Sequence, residues 1–316
     1  MRRRIRNHFS IFFYLLILLL SLGCIAKEEI PQSYEDIKVL FAGSKISRVA
    51  PDTNTFVVIT IMNNALGGNA TSVIVSLENV EPFRIVEGGK EYSNPSERRK
   101  GSPYGYTCDD GKEVRTHCME GIMPGEIIDF FWILKVPSKE EIGKMVYDHQ
   151  MYYTVKYNYV AKFIYRITAI NEEELIRGSR VSNSIIYSTP SPIKFEGKTP
   201  DNYVVFSTNQ SRESYLIFSL SVIPEARGTV EGDLSITVFY PSQEYMPSEI
   251  ENWIKVSEGF SRNISAIELA TSPEFYLPLN LPPDLRPFIN LDFRIELNYT
   301  FIKNGNFMIT VVPIKI

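Results

Sequence analysis

Polar and apolar residues alternate along most of the chain, and two stretches carry the pattern furthest. From Tyr153, every second residue is apolar: Tyr153, Val155, Tyr157, Tyr159, Ala161, Phe163, Tyr165 and Ile167. The residues between them are mostly polar, among them Thr154, Lys156, Asn158, Lys162 and Arg166. A period of two predicts a strand with one buried face. At about 3.3 Å per residue a straight strand of this length exceeds 50 Å, so a bend or bulge is expected near residues 160–161. The second stretch runs through Leu291, Phe293, Ile295, Leu297, Tyr299 and Phe301, and Lys303-Asn304-Gly305-Asn306 follows it. Asn-Gly chemistry predicts a hairpin turn there, with 307–316 returning as the partner strand.

Shorter apolar runs at 55–63, 71–80, 127–136, 183–189, 202–208, 214–223 and 233–241 read as further strands. Helical pattern is scarce. Ser138 with Glu141, and Ser248 with Glu251, are capping-box pairs that predict short helices over 137–148 and 247–256. Glu172-Glu173-Glu174 reads as a solvated hairpin tip, and the proline-bearing 272–288 as an extended segment along a sheet edge. A stretch carrying Pro, Ser and Gly at 188–202 divides the chain into parts with a similar order of elements. The expected fold is all-β, with two antiparallel β-sandwiches in tandem over 36–194 and 195–316. Met123-Pro124-Gly125 leading into 126–137 resembles the turn and inner strand of immunoglobulin-like domains in prokaryotic surface proteins. That resemblance is to an architecture and brings no functional residues with it.

The beginning of the chain has a different character. Arg2, Arg3, Arg4 and Arg6 precede a 14-residue, mostly apolar run from Phe9 to Leu22. A basic segment and a short apolar one are the parts of a secretory signal, whereas a membrane span needs about 20 apolar residues. The run ends at Ser21-Leu22-Gly23-Cys24, which resembles the lipobox of prokaryotic lipoproteins, archaea included, with Ser21 in place of the usual Leu. The resemblance implies that 1–23 is a signal peptide, that Cys24 carries lipid, and that 24–35 is a tether. An uncleaved signal anchor is the alternative. Either way the rest of the chain is expected outside the cytoplasm, held at the cell membrane.

Charge excludes one class of partner. The chain has 33 Lys+Arg against 37 Asp+Glu, and without the four arginines of the start the balance is 29 against 37. No concentrated basic patch suits nucleic acid. Beyond Cys24 only Cys108 and Cys118 remain, separated by nine residues. In an oxidising compartment they predict a local disulfide, closing a loop worth roughly 2–3 kcal/mol. A metal site from Cys108, His117 and Cys118 is the rival, but its spacing matches no common zinc pattern. Asn69, Asn209, Asn263 and Asn298 begin sequons and are candidate glycosylation sites.

The stretch 87–125 is too long for a sandwich turn and holds both of those cysteines, and insertions of this length tend to be functional or disordered. Tyr92, Arg98, Arg99, Tyr104 and Tyr106 within it are the candidate binding surface, since aromatic and arginine side chains supply contact energy. His117 and His149 lack the flanking pattern of a nucleophile elbow. Asp109-Asp110-Gly111 with Glu113 lacks the alternation of a calcium loop. No catalytic, cofactor or metal residue is therefore assigned. The expectation is a non-catalytic surface module that binds an envelope protein or glycan. An envelope hydrolase or carbohydrate-active enzyme, or an accessory subunit of a secretion or pilus system, is the alternative.

Overall fold

The computed structural model describes residues 35–65, 68–92, 115–143, 145–198 and 203–313. They form an all-β fold arranged around two very long strands. β8 (Tyr147–Asn171) and β17 (Phe288–Val311) pair antiparallel from end to end, with Ile170 opposite Phe288 and Tyr147 opposite Val311. Their apolar residues share one face, placing Tyr157 opposite Phe301, Tyr159 opposite Tyr299 and Phe163 opposite Ile295.

Each end of this ribbon is extended by different neighbours. Where β8 begins and β17 ends, β4 (Ala70–Glu78) pairs with β8, and β6 (Thr116–Ile122) with β4. Over this end lies a second sheet, in the order β1 (Ile37–Ser44), β3 (Asn54–Asn63), β7 (Ile127–Lys135), β5 (Arg84–Tyr92). The layers meet where the rings of His117 and Trp132 lie 4.7 Å apart and Asn63 Nδ2 donates to the Ile122 carbonyl at 2.8 Å. At the other end β13 (Gly228–Phe239) pairs with β17, followed by β15 (Gly259–Ser265) and β14 (Ile254–Val256). Three strands cover this end, β10 (Ile193–Lys198), β12 (Arg212–Val222) and β16 (Glu274–Leu281). Phe163 of β8 stacks on Phe195 of β10 at 5.3 Å, and one continuous set of buried side chains runs through both ends.

The two sandwiches thus share their central strands. Residues 303–311, which a division at 194/195 assigns to the second part, pair within the first. The 188–202 stretch does not act as a linker where it is described: Thr189 and Ser191 are buried, and the Thr189 N–H donates to the Lys162 carbonyl at 2.9 Å.

Three local expectations are corrected. Asn304-Gly305 makes no turn; β17 runs straight through it, because continuing the ladder satisfies every backbone group that a turn would leave exposed. Gly305 is there for space, since a Cβ would come within 2.3 Å of the Tyr153 ring on the opposite strand. Gly305→Val is expected to cost about 1–3 kcal/mol. In urea unfolding its cost combined with Tyr153→Ala should fall below the sum of the two; full additivity would show that the ring does not fill this space. The expected bulge at 160–161 is absent from the β8–β17 ladder. A register shift lies instead in β4 between Thr71 and Ile74, beside Ser72 at φ 50°. No helix forms over 247–256: Asn252 has a left-handed φ of 62°, which a helix cannot continue through, and β14 starts two residues later.

The short helices follow the expectations in part, and the one predicted over 137–148 forms only a single turn. Ser138 and Glu141 close a capping box on α1 (Lys139–Ile142). Glu172-Glu173-Glu174 opens a one-turn helix, α2 (Glu172–Ile176), capped by the Asn171 side chain, in place of a bare hairpin tip. A third short helix, α3 (Ala266–Ala270), follows β15. β16 is an edge strand, as the prolines of 272–288 suggested.

Candidate functional site

The long insertion leaves the first sandwich from β5 and returns through β6. Tyr92 ends β5 opposite Ile128 of β7. Arg98, Arg99, Tyr104, Tyr106, Cys108, Asp109, Asp110, Gly111 and Glu113 lie outside the described residues, as does Cys24. Cys118 lies on β6 and is 8% exposed.

Beside the return of the insertion is a cleft of about 900 Å³. It is lined by the β4–β5 turn (Glu81, Phe83), by Arg84 at the start of β5, by Arg115 at the root of β6, by Glu141 of α1 and by Tyr147 at the start of β8. Its charges are matched across the opening. Arg84 pairs with Glu141 at 3.6 Å and Arg115 with Glu81 at 3.9 Å. These pairs are solvent-exposed and contribute little to stability. The Ser138 N–H and hydroxyl hold the Glu141 carboxyl below its usual range, with Arg84 adding a smaller pull. The aromatic lining is Phe83 and Tyr147, and behind it the His149 ring lies 5.4 Å from Phe83. His149 is 7% exposed; its Nε2 donates to the Asn79 carbonyl at 2.6 Å, so its Nδ1 accepts from the Tyr147 hydroxyl at 3.1 Å. His117 Nε2 donates to the Phe131 carbonyl at 3.3 Å with its ring against Trp132. Both histidines orient neighbouring elements. Among the described residues no group of three His, Cys, Asp or Glu is placed to hold a metal ion.

Sequence reasoning missed a second polar cluster, where the two sandwiches join. Asp36, with no exposed surface, accepts hydrogen bonds from the Ile37 N–H at 2.7 Å, the Tyr157 hydroxyl at 2.6 Å and the Tyr299 hydroxyl at 3.0 Å. Ser191 lies 3.3 Å from the Tyr299 hydroxyl. Lys303 Nζ donates to the Ile37 carbonyl at 2.5 Å and pairs with Glu35 at 3.9 Å. Burial pushes the Asp36 carboxyl up to about 6, against the pull of its hydrogen bonds and of Lys303. Burial and the Asp36 charge push both tyrosine hydroxyls up, and burial pulls the Lys303 ammonium down. Closed to substrate, this cluster fastens the first strand to both central strands. Its signal in the sequence was tyrosine, where phenylalanine would serve, on the buried faces of both long strands, since a buried hydroxyl needs a partner.

All four sequon asparagines are exposed. Asn263 of β15 and Asn298 of β17 both lie opposite Ser235 of β13, which puts them in one row across the sheet.

No protein-family model matches the chain, and no curated protein does. Among solved structures, the 35 kDa C-terminal fragment of the major pilin GBS80 of Streptococcus agalactiae is similar at 7% identity and a TM-score of 0.23, over 84% of this chain and 79% of that one. Red sea bream transglutaminase is similar at 10% identity and a TM-score of 0.19, over 88% of this chain. The chain spans only 32% of the transglutaminase. These likenesses extend no further than a β-rich architecture. Among the described residues no helix is long and apolar enough to cross a membrane.

Proposed function

We propose that the chain is a non-catalytic extracytoplasmic module, anchored at a membrane through Cys24, that binds an envelope protein or glycan beside its long insertion. The observation that carries this reading is placement. The chain's largest insertion returns beside an open cleft of matched charges and aromatic lining, a combination that suits recognition more than chemistry. Pairing of Cys108 with Cys118 would pin that insertion to β6 and limit the entropy lost when a partner orders it. The basic start, the apolar run and the Cys24 context support the anchor.

Metabolic labelling with a lipid precursor in the native host tests the anchor. Label on the wild-type chain and none on Cys24→Ala is the expected result. Equal labelling of both removes the lipidation, and a released Cys24→Ala chain that still binds cell envelopes keeps the binding role.

A further inference from the structure

β16 is the last strand of its three-stranded sheet, so one side of its backbone has no strand partner among the described residues. Two observations fix which groups face that side. The Leu220 N–H donates to the Pro273 carbonyl at 3.4 Å, which puts residue 273 and every second residue after it in hydrogen-bonded pairs with β12. Pro278, which has no N–H to give, lies in the opposite phase, and its carbonyl turns outward to accept from the Tyr240 hydroxyl at 2.8 Å. Glu274 and Tyr276 share that phase, so their N–H and C=O groups also point away from β12. Beyond Pro278 the edge is closed, because Asn280 Nδ2 donates to the Met246 carbonyl at 3.4 Å.

The open stretch forms one wall of a cleft of about 380 Å³. The facing wall is the turn before β14, with Glu249, Glu251 and Trp253. Trp253 stands at 82° to the Phe275 ring, 6.0 Å away. Arg262 lies over the same Phe275 ring at 5.5 Å and is held by Glu268 at 2.7 Å, so its charge is already answered. Lys198 answers Glu274 in the same way, at 3.0 Å. Glu249 and Glu251 are exposed and enter no ion pair among the described residues. The cleft therefore offers outward backbone donors and acceptors at strand spacing, an aromatic wall and a surplus of negative charge.

We propose that an extended peptide segment of a partner protein adds to β16 at Glu274 and Tyr276 as a fourth strand, with an Arg or Lys side chain set against Glu249 and Glu251. Main-chain bonding at a free sheet edge supplies affinity, and the side-chain pocket beside it supplies selection. An anionic ligand is repelled by the two carboxylates, and a neutral ligand leaves them unanswered. This rests on the reading of the chain as a binding module and names a contact surface away from the insertion.

The test uses the full-length chain and fluorescence anisotropy with labelled heptapeptides of Val, Thr and Ser carrying a central Arg. Matching peptides carry Glu at the centre, or N-methyl groups on alternate amides. The central-Arg peptides should bind, and both changes should weaken binding at least about tenfold, the size of one lost hydrogen bond or ion pair. Tyr276→Pro should weaken it similarly while leaving the fold intact, because the new proline falls in the phase that Pro278 already occupies. The double change Glu249→Lys with Glu251→Lys should reverse the preference toward the central-Glu peptides, which misfolding cannot imitate. The proposal falls if no central-Arg peptide binds the folded chain, or if binding ignores both N-methylation and Tyr276→Pro. Binding of a neutral cellohexaose, lost on Trp253→Ala and kept in Tyr276→Pro, also overturns it. If the peptides fail while Tyr276→Pro still binds cell envelopes as wild type does, the edge is wrong and the binding module stands.

Discussion

Asp36→Asn is expected to raise the free energy of unfolding at pH 7 by about 3 kcal/mol, which inverts the usual cost of altering a buried residue. In the folded chain the carboxyl titrates near 6 because burial disfavours its charge, against an ordinary value of 3.8. Between those values the folded state holds a proton that the unfolded state has released. Stability from this group is therefore fully present below 3.8, and it is lost as pH rises through about 6. Asparagine keeps the shape of the protonated carboxyl. Its oxygen can accept from the Ile37 N–H and the Tyr157 hydroxyl, and its amide can donate to the Tyr299 hydroxyl, which turns to Ser191. Urea unfolding of both chains at pH 7.5 and pH 4 measures the difference. The advantage of the variant should be large at pH 7.5 and nearly absent at pH 4, which separates this carboxyl from every other one. An equal difference at both values would show that the carboxyl titrates normally. Asp36→Ala should lose stability at both, since it removes the acceptor of the buried Tyr157 hydroxyl and of the Ile37 N–H.

Trp132→Ala should cost about 3–5 kcal/mol, the range for removing a fully buried indole. The side chain has no exposed surface, lies on the inner face of β7 between Phe130 and Leu134, and meets the His117 ring of the opposite layer. Its loss leaves a cavity between layers that the neighbouring rings fill only in part. His117 keeps its contacts with Phe130 and with the Phe131 carbonyl, so it should stay in place and prop the cavity open. The chain has two tryptophans, so the variant leaves Trp253 as the only indole reporter, at the far sandwich. Urea unfolding followed by Trp253 fluorescence should shift together with the circular dichroism of the whole chain, because both ends share β8 and β17. A far end that keeps the wild-type midpoint while the near end melts early would refute the shared core.

How much of this was legible in the chain depended on what set each feature. Alternation marked the middles of β8 and β17, because one face of each is buried and register errors would expose it, but β8 begins six residues before Tyr153 and β17 continues ten residues beyond Phe301. Their mutual pairing was hidden: residues 147–171 and 288–311 are far apart, and nothing local distinguishes a strand shared by two sandwiches from a strand in one. Asn304-Gly305 shows the same limit, since local turn chemistry yielded to a partner strand that only the fold supplies. Of the candidate sites, the insertion was found from its length, and its flanks Glu81, Arg84 and Glu141 were missed because ordinary surface charges carry no pattern. The free phase of β16 was within reach: Pro278 alone indicates which residues of that strand turn outward.

The shared strands also govern the order of events during synthesis. The first sandwich takes its last central strand from residues 303–311, so it stays open along one side of β8 until nearly the whole chain has been made. At about 5–20 residues per second, residues 172–311 take roughly 7–28 s to appear. For that interval the nascent chain carries an unpaired 25-residue edge rich in tyrosine, a hazard for association with neighbouring chains. A chain exported before it folds leaves the pairing of β8 with β17 to the far side of the membrane, so the cytoplasm never holds a folded first sandwich with that edge open.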